Sequence, residues 1–241
     1  MKVFALTTLI LILGSPVVAQ SLDCDGGESY GDYIGRIEGG SRGYAATNPT
    51  SSATGKYQFL LGTLQELGYV AGYDGGASQY FGDSDWAGVR WTGKDGVTSR
   101  DAFMNSPGAQ ENAFAEFTQR NLDAVAGTWT PGTTVNGVQM TAGGVAAATH
   151  MLGAGGFRRW AESGFTAAGL DTTHAGNHGW SPEDYNNHLM NRVATAGCMD
   201  PGDITSVGND RIDDLPEIFL MPFERIPGAA PYLPGHFATS I

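Results

Sequence analysis

Apolar side chains recur at helical spacing in several separated stretches of this chain. Tyr30, Tyr33, Ile34 and Ile37 fall at i, i+3, i+4 and i+7, which predicts a helix with one buried apolar face. Gly39-Gly40 follow as the residues that end it. A second helix is expected over 57–67, burying Phe59, Leu60, Leu64 and Leu67 and stopping at Gly68. Ser106-Pro107 reads as an N-cap followed by proline at the first helical position, and opens a long helix with Ala113, Phe114 and Phe117 inward. The run 141–156 is dominated by small residues, so the helix it forms can approach its neighbours closely and run through the middle of the domain. A short amphipathic helix over 157–163 follows. A last helix, capped by Ser181-Pro182-Glu183-Asp184, carries Tyr185, Leu189 and Val193. Thr134-Val135-Asn136-Gly137-Val138 places an Asn-Gly turn between β-branched residues, the signature of a small hairpin. No period survives across 69–98, a stretch rich in Gly, Asp and aromatic residues. The pattern therefore predicts a mainly α protein with long Gly-rich loops and one small β-hairpin.

The ends of the chain read differently. Residues 1–19 carry one basic residue, Lys2, then an apolar run that closes on Val17-Val18-Ala19, the form of a secretory signal peptide. The run is shorter than the roughly 20 apolar residues a spanning helix needs, so no stable membrane insertion is expected after cleavage. Residues 20–199 form the patterned domain. From Asp200 to Ile241 helical periodicity stops, six of the eleven prolines occur, and acids outnumber bases seven to two. This acidic, Pro-rich segment is expected to be extended, either as a docking peptide for an envelope partner or lying along the domain.

Composition narrows the function. A net charge of −12 excludes nucleic acid and anionic membrane surfaces as natural partners. Two cysteines, Cys24 and Cys198, flank nearly all the patterned sequence, and an even count in an exported chain predicts a disulfide. It would close a loop of about 175 residues, worth about 4–5 kcal/mol on the chain-entropy model. Export also places the protein in the periplasm or outside the cell.

One carboxylate stands out. Glu38 directly follows the last apolar position of the first helix, at the edge of a core where the helix gives way to a polar Ser/Thr/Asn/Pro loop over 47–54. Desolvation at such a position favours the protonated carboxyl that a general acid needs. The loop ends in Gly55-Lys56-Tyr57-Gln58-Phe59. The order Ile37-Glu38-Gly39-Gly40, polar loop, Ser52-Ala53-Thr54-Gly55-Lys56-Tyr57-Gln58-Phe59, then a helix, resembles the lysozyme-like lytic transglycosylases of peptidoglycan. In that family a catalytic Glu closes the first helix and a Gly-x-x-Gln element forms the facing wall of the cleft.

The resemblance implies a lysozyme-like helical domain over 20–199, with peptidoglycan glycan strands as substrate and no cofactor or metal. Glu38 would be the catalytic acid and then base, and Ser52, Tyr57 and Gln58 would contact the sugar. Gln110 and Glu111 resemble the S-P-x-x-Q-E/D stretch of phage-type members and are read as structural. His150-Met151-Leu152-Gly153 stands where the family carries Tyr-Asn-x-Gly, so His150 is either a cleft residue or a core contact. Tyr185 resembles a late tyrosine whose hydroxyl approaches the catalytic Glu, or else is a half-buried helix-interface residue. Tyr80, Phe81, Trp86 and Trp91 either stack on sugar rings or pack a satellite core. Asp74, Asp83, Asp85 and Asp95 do not match the spacing of an EF-hand. His174, His178 and His188 with Asp171 lack the helical spacing that zinc ligands need.

An acidic wall enzyme fits local work on its own cell's peptidoglycan better than adhesion to foreign walls. A hydrolysing muramidase on the same fold and a non-catalytic wall-binding scaffold are the competing expectations.

Overall fold

Ser29 opens the first helix, α1 (Tyr30–Gly39), by accepting a hydrogen bond from the Asp32 amide at 3.0 Å. A computed structural model describes residues 27–49, 51–73, 86, 88–172 and 179–202, and the fold is mostly helical with two small antiparallel strand pairs. The signal-peptide segment, Cys24, Tyr80, Phe81, the histidines at 174 and 178, and the tail beyond Gly202 lie outside the described residues.

After α1 and a 3-10 segment (Gly40–Ala45), the chain makes a tight double turn pinned by isolated bridges from Thr54 to Thr47 and to Phe59. Gly55 (φ 79°) and Gln58 (φ 50°) both take left-handed backbone in this turn. The helix expected from residue 57 therefore starts only at Leu61, as α2 (Leu61–Glu66). The 69–98 stretch contains a pair the sequence pattern did not signal. β1 (Val70–Tyr73) runs antiparallel to β2 (Val89–Trp91) with an irregularity at Val70/Gly72, which erases the simple two-residue alternation. A short α3 (Arg100–Met104) leads into α4 (Pro107–Val125), whose N-cap and inward face agree with the sequence reading. β3 (Thr134–Val135) pairs with β4 (Val138–Gln139) across Asn136 (φ 49°) and Gly137 (φ 82°), the expected Asn-Gly hairpin.

α5 (Ala142–Glu162) is one kinked element where the sequence suggested two helices, with the break at Gly153 (φ 63°, ψ 168°). It packs against both α4 and α6 (Pro182–Ala196), so it is the central helix. Its small residues explain the approach: a Cβ added at Gly144 would lie 2.7 Å from the Val193 carbonyl oxygen of α6.

The core has two parts joined through α5. One gathers Tyr30, Ile34, Tyr57, Phe59, Leu64, Phe103 and Phe114; the other gathers Met140, Val145, Phe157, Trp160, Leu189 and Val193. Trp86 and Trp91 stack at 5.8 Å and pack against the first part, so these two rings belong to the satellite core. Among the described residues, no helix is long and apolar enough to cross a membrane.

A buried polar clamp fixes α1 and the double turn onto α4. Glu111 accepts hydrogen bonds from Tyr57 (2.5 Å), Tyr44 (2.6 Å) and Lys56 (3.1 Å), and Lys56 also reaches Asp32 at 3.2 Å. Gln110 takes the Lys56 amide at 2.7 Å and donates to the carbonyls of Tyr44 and Phe103. The pair is structural as expected: both residues lie past the first turn of α4, are buried, and hold this clamp together.

Candidate functional site

Glu38 occupies the last turn of α1, where backbone carbonyls concentrate partial negative charge and a buried carboxylate needs a compensating cation. Arg192 of α6 supplies it. The Arg192 Nη2 group donates to Glu38 Oε1, and both side chains are only 6% exposed. The guanidinium is braced from behind by α5: its Nε donates to the Ala147 carbonyl at 3.1 Å, and Nη1 lies 3.7 Å from Met151 Sδ. Three helices thus converge on one ion pair. The sequence reading expected burial alone around Glu38; the structure supplies burial together with a cation.

This pair lines a groove of about 340 Å³. α1 contributes Tyr33, Ile37 and Glu38; α5 contributes Met151; and His188, Asn191, Arg192 and Thr195 project from α6, with Trp180 just before it. Ile37 was expected on the buried face of α1, but it is 38% exposed and forms part of the groove wall instead. Trp180 and His188 lie with ring centroids 4.8 Å apart.

Gly39 explains how Glu38 is placed. A Cβ at residue 39 would lie 2.7 Å from the Lys56 carbonyl oxygen, so α1 rests directly on the 55–57 turn and its orientation is set by backbone contact. The two halves of the sequence motif are therefore neighbours in space.

The side chains of that second half face inward, away from the groove. Ser52 is fully buried, and its Oγ accepts the Leu61 amide at 3.1 Å, capping α2 from a distance. Tyr57 is fully buried, its ring stacked on Phe114 at 3.8 Å and its hydroxyl spent on Glu111. Gln58 donates from Nε2 to the Gly55 carbonyl at 2.9 Å, closing its own turn. His150 is buried among the edges of Phe59, Phe114 and Phe117, with Nε2 3.1 Å from the Tyr57 carbonyl. Burial pushes the His150 imidazole down to about 4, with nearby Glu38 opposing that shift and Arg192 adding to it. Tyr185 is buried under Trp180 (6.2 Å), and burial raises its phenol to about 12.

None of these five side chains lines this groove; each is buried and makes the packing or hydrogen-bond contacts given above. A simple test separates the two roles for Ser52. Changing Ser52 to Ala is expected to cost about 1 kcal/mol in urea unfolding by orphaning the Leu61 amide, while ligand binding stays unchanged. Cys198 lies in the turn after α6, and the pairing expected with Cys24 falls outside the described residues.

The groove residues that sequence reasoning missed carried a signal. His188, Asn191, Arg192 and Thr195 fall at i, i+3, i+4 and i+7, a polar stripe flanking the apolar stripe of Tyr185, Leu189, Val193 and Ala196. A buried arginine on such a stripe demands an anion, and Glu38 is that anion.

No protein-family model, no curated protein and no solved structure matches the chain.

Proposed function

We propose that this protein is an exported lytic transglycosylase that cuts peptidoglycan glycan strands at the MurNAc-GlcNAc β-1,4 bond, with Glu38 as acid and then base. The observation that carries the reading is a nearly solvent-excluded carboxylate, 6% exposed, on the wall of a groove that also presents aromatic, amide and hydroxyl side chains. Sugar sites are built from such surfaces, where a flat ring covers the apolar face of the pyranose and polar groups take its hydroxyls. The I-E-G-G and G-K-Y-Q segments that resemble the family lie against each other in the fold.

The proton is used twice. Protonated Glu38 gives it to the glycosidic oxygen, and the bond from that oxygen to the muramic C1 breaks while the substrate's N-acetyl group assists. Glu38, now a carboxylate, takes the proton of the C6 hydroxyl as the C1–O6 bond closes. No water is consumed, and Glu38 ends protonated. The acidic tail over 200–241 belongs to the same reading as a docking segment for an envelope partner that places the enzyme locally, in the periplasm or outside the cell.

A second reading, a non-catalytic glycan-binding protein, is favoured by the commitment of Glu38 to Arg192. Digestion of purified sacculi decides between them. The expected result is release of anhydro-muropeptides, lighter by one water than hydrolytic products, and loss of that release in Glu38→Gln with the circular dichroism spectrum intact. Hydrated products would make the protein a muramidase. Binding to sacculi without release would favour the scaffold, and full activity in Glu38→Gln would remove Glu38 from catalysis.

A further inference from the structure

A resting Glu38 whose Oε1 is taken by the Arg192 guanidinium is not free to face a glycosidic oxygen. The geometry around Arg192 suggests how the pair opens. The guanidinium has anchors besides Glu38: Nε donates to the Ala147 carbonyl at 3.1 Å and Nη1 lies 3.7 Å from Met151 Sδ, both on α5. Glu38, in contrast, sits in the last turn of α1, directly before Gly39 and the left-handed Gly40 (φ 56°). Among the described residues, Arg192 is the one permanent cation on the groove wall, which also carries the His188 imidazole. A ligand anion entering the groove meets a fixed cation already occupied by a replaceable carboxylate.

We propose that Arg192 is a carboxylate-binding residue of this groove, where an acidic sugar takes the place of Glu38 on the guanidinium and Glu38 leaves the pair carrying a proton. This rests on the reading of the groove as a glycan site and adds to it the class of glycan: one bearing a free carboxylate. Before binding, the wall holds Arg192 as a cation and Glu38 as an anion. Afterwards the guanidinium pairs with the ligand carboxylate, and Glu38 takes one proton from solvent, so this nearly dry spot stays neutral. Binding thereby converts Glu38 into the acid form that the cleavage step consumes. The carboxylate could belong to the lactyl ether of a denuded strand or to a stem peptide; both present the same group to Arg192.

Calorimetric titration of the full mature chain at pH 7, in buffers of different ionisation enthalpy, tests the exchange without relying on turnover. The probes are N-acetylglucosamine as the neutral sugar, N-acetylmuramic acid, and its L-alanyl-D-glutamate derivative, in which the carboxylates are moved onto the peptide. Expected is a preference of roughly tenfold or more for one of the acidic sugars over the neutral one, with uptake of about one proton per ligand. Which of the two acidic sugars shows it identifies the source of the carboxylate.

Glu38→Gln should abolish the uptake and keep the preference, which also separates Glu38 from His188 as the group that gains the proton. The double variant Glu38→Gln/Arg192→Met, which leaves no unpaired charge to endanger folding, should lose both. Equal binding of neutral and acidic sugars, proton uptake that survives in Glu38→Gln, or no binding of any of the three would overturn the exchange. Anhydro-muropeptide release from sacculi would stand independently of that failure. Conversely, a scaffold that binds acidic sugars with proton uptake but releases nothing would keep the exchange and remove the catalytic reading.

Discussion

Arg192→Met should destabilise the folded protein by about 3–5 kcal/mol, the cost of stranding one member of a buried ion pair. Both side chains of the Arg192–Glu38 pair are 6% exposed, so water cannot replace the lost guanidinium cheaply. The Ala147 carbonyl also loses its bond to Arg192 Nε, but that oxygen lies within α5, whose own helical hydrogen bonds remain. Most of the loss is therefore the uncompensated Glu38 carboxylate, and removing that charge should return most of the stability. In urea unfolding at pH 7, the double variant Glu38→Gln/Arg192→Met is expected to be markedly more stable than Arg192→Met alone, with an unchanged dependence on denaturant. Strictly additive losses in the two single variants and the double would show that the two residues act separately, and that α1, α5 and α6 are held together by apolar contact alone.

That ion pair also marks the limit of what the sequence shows. Helices with an apolar stripe were legible because that signal is local, and so were the caps at Ser106 and Ser181, each of which accepts a hydrogen bond from an amide in the first turn of the helix it precedes. The β3–β4 hairpin was legible for the same reason, through the positive φ that Asn136 and Gly137 tolerate. α2 was placed too early because Gln58, an ordinary residue, takes left-handed backbone there, supported by a hydrogen bond from its own side chain to Gly55. Glu38 was legible as a carboxylate at the edge of a core. Its partner lies 154 residues later, and no local pattern connects the two. The sugar-binding roles expected of Ser52, Tyr57 and Gln58 assumed that residues in a motif face the cleft. Here those side chains hold the turn in shape, and the motif meets α1 through the Lys56 backbone at Gly39 and the Lys56 side chain at Asp32.

His150 gives the second large effect, a loss of stability on acidification that sets in well above the range where carboxylates titrate. A carbonyl can only accept, so the contact of Nε2 with Tyr57 at 3.1 Å puts the neutral ring's single proton on Nε2. Nδ1 is buried without a hydrogen-bond partner, and the ring is enclosed by the edges of three phenylalanines, so a second proton would bring a charge into an apolar site. The folded-state imidazole is pushed down to about 4 by that burial; Glu38 and the Tyr57 carbonyl oppose the shift, and Arg192 adds to it. In the unfolded chain the ring titrates near 6.5. Between these values the unfolded state binds more protons than the folded one, so stability is full above about pH 6.5 and falls as pH drops towards about 4. The integrated loss is about 3 kcal/mol, at about 1.4 kcal/mol per pH unit on the steep part. Glu28, held low by Arg36, and Asp184, held low by Ser181, lose their contributions only as pH falls further, through the acidic end of the range. The interval from about pH 6.5 to 4.5 therefore reports histidine. Urea unfolding across it should show this slope in the native chain. His150→Gln, whose amide can still donate to the Tyr57 carbonyl, should start from a lower stability at pH 7 and show a flatter profile. Equal slopes in the two proteins would mean that the other four histidines, shared by both, carry the acid sensitivity, and that the His150 site admits a proton without cost.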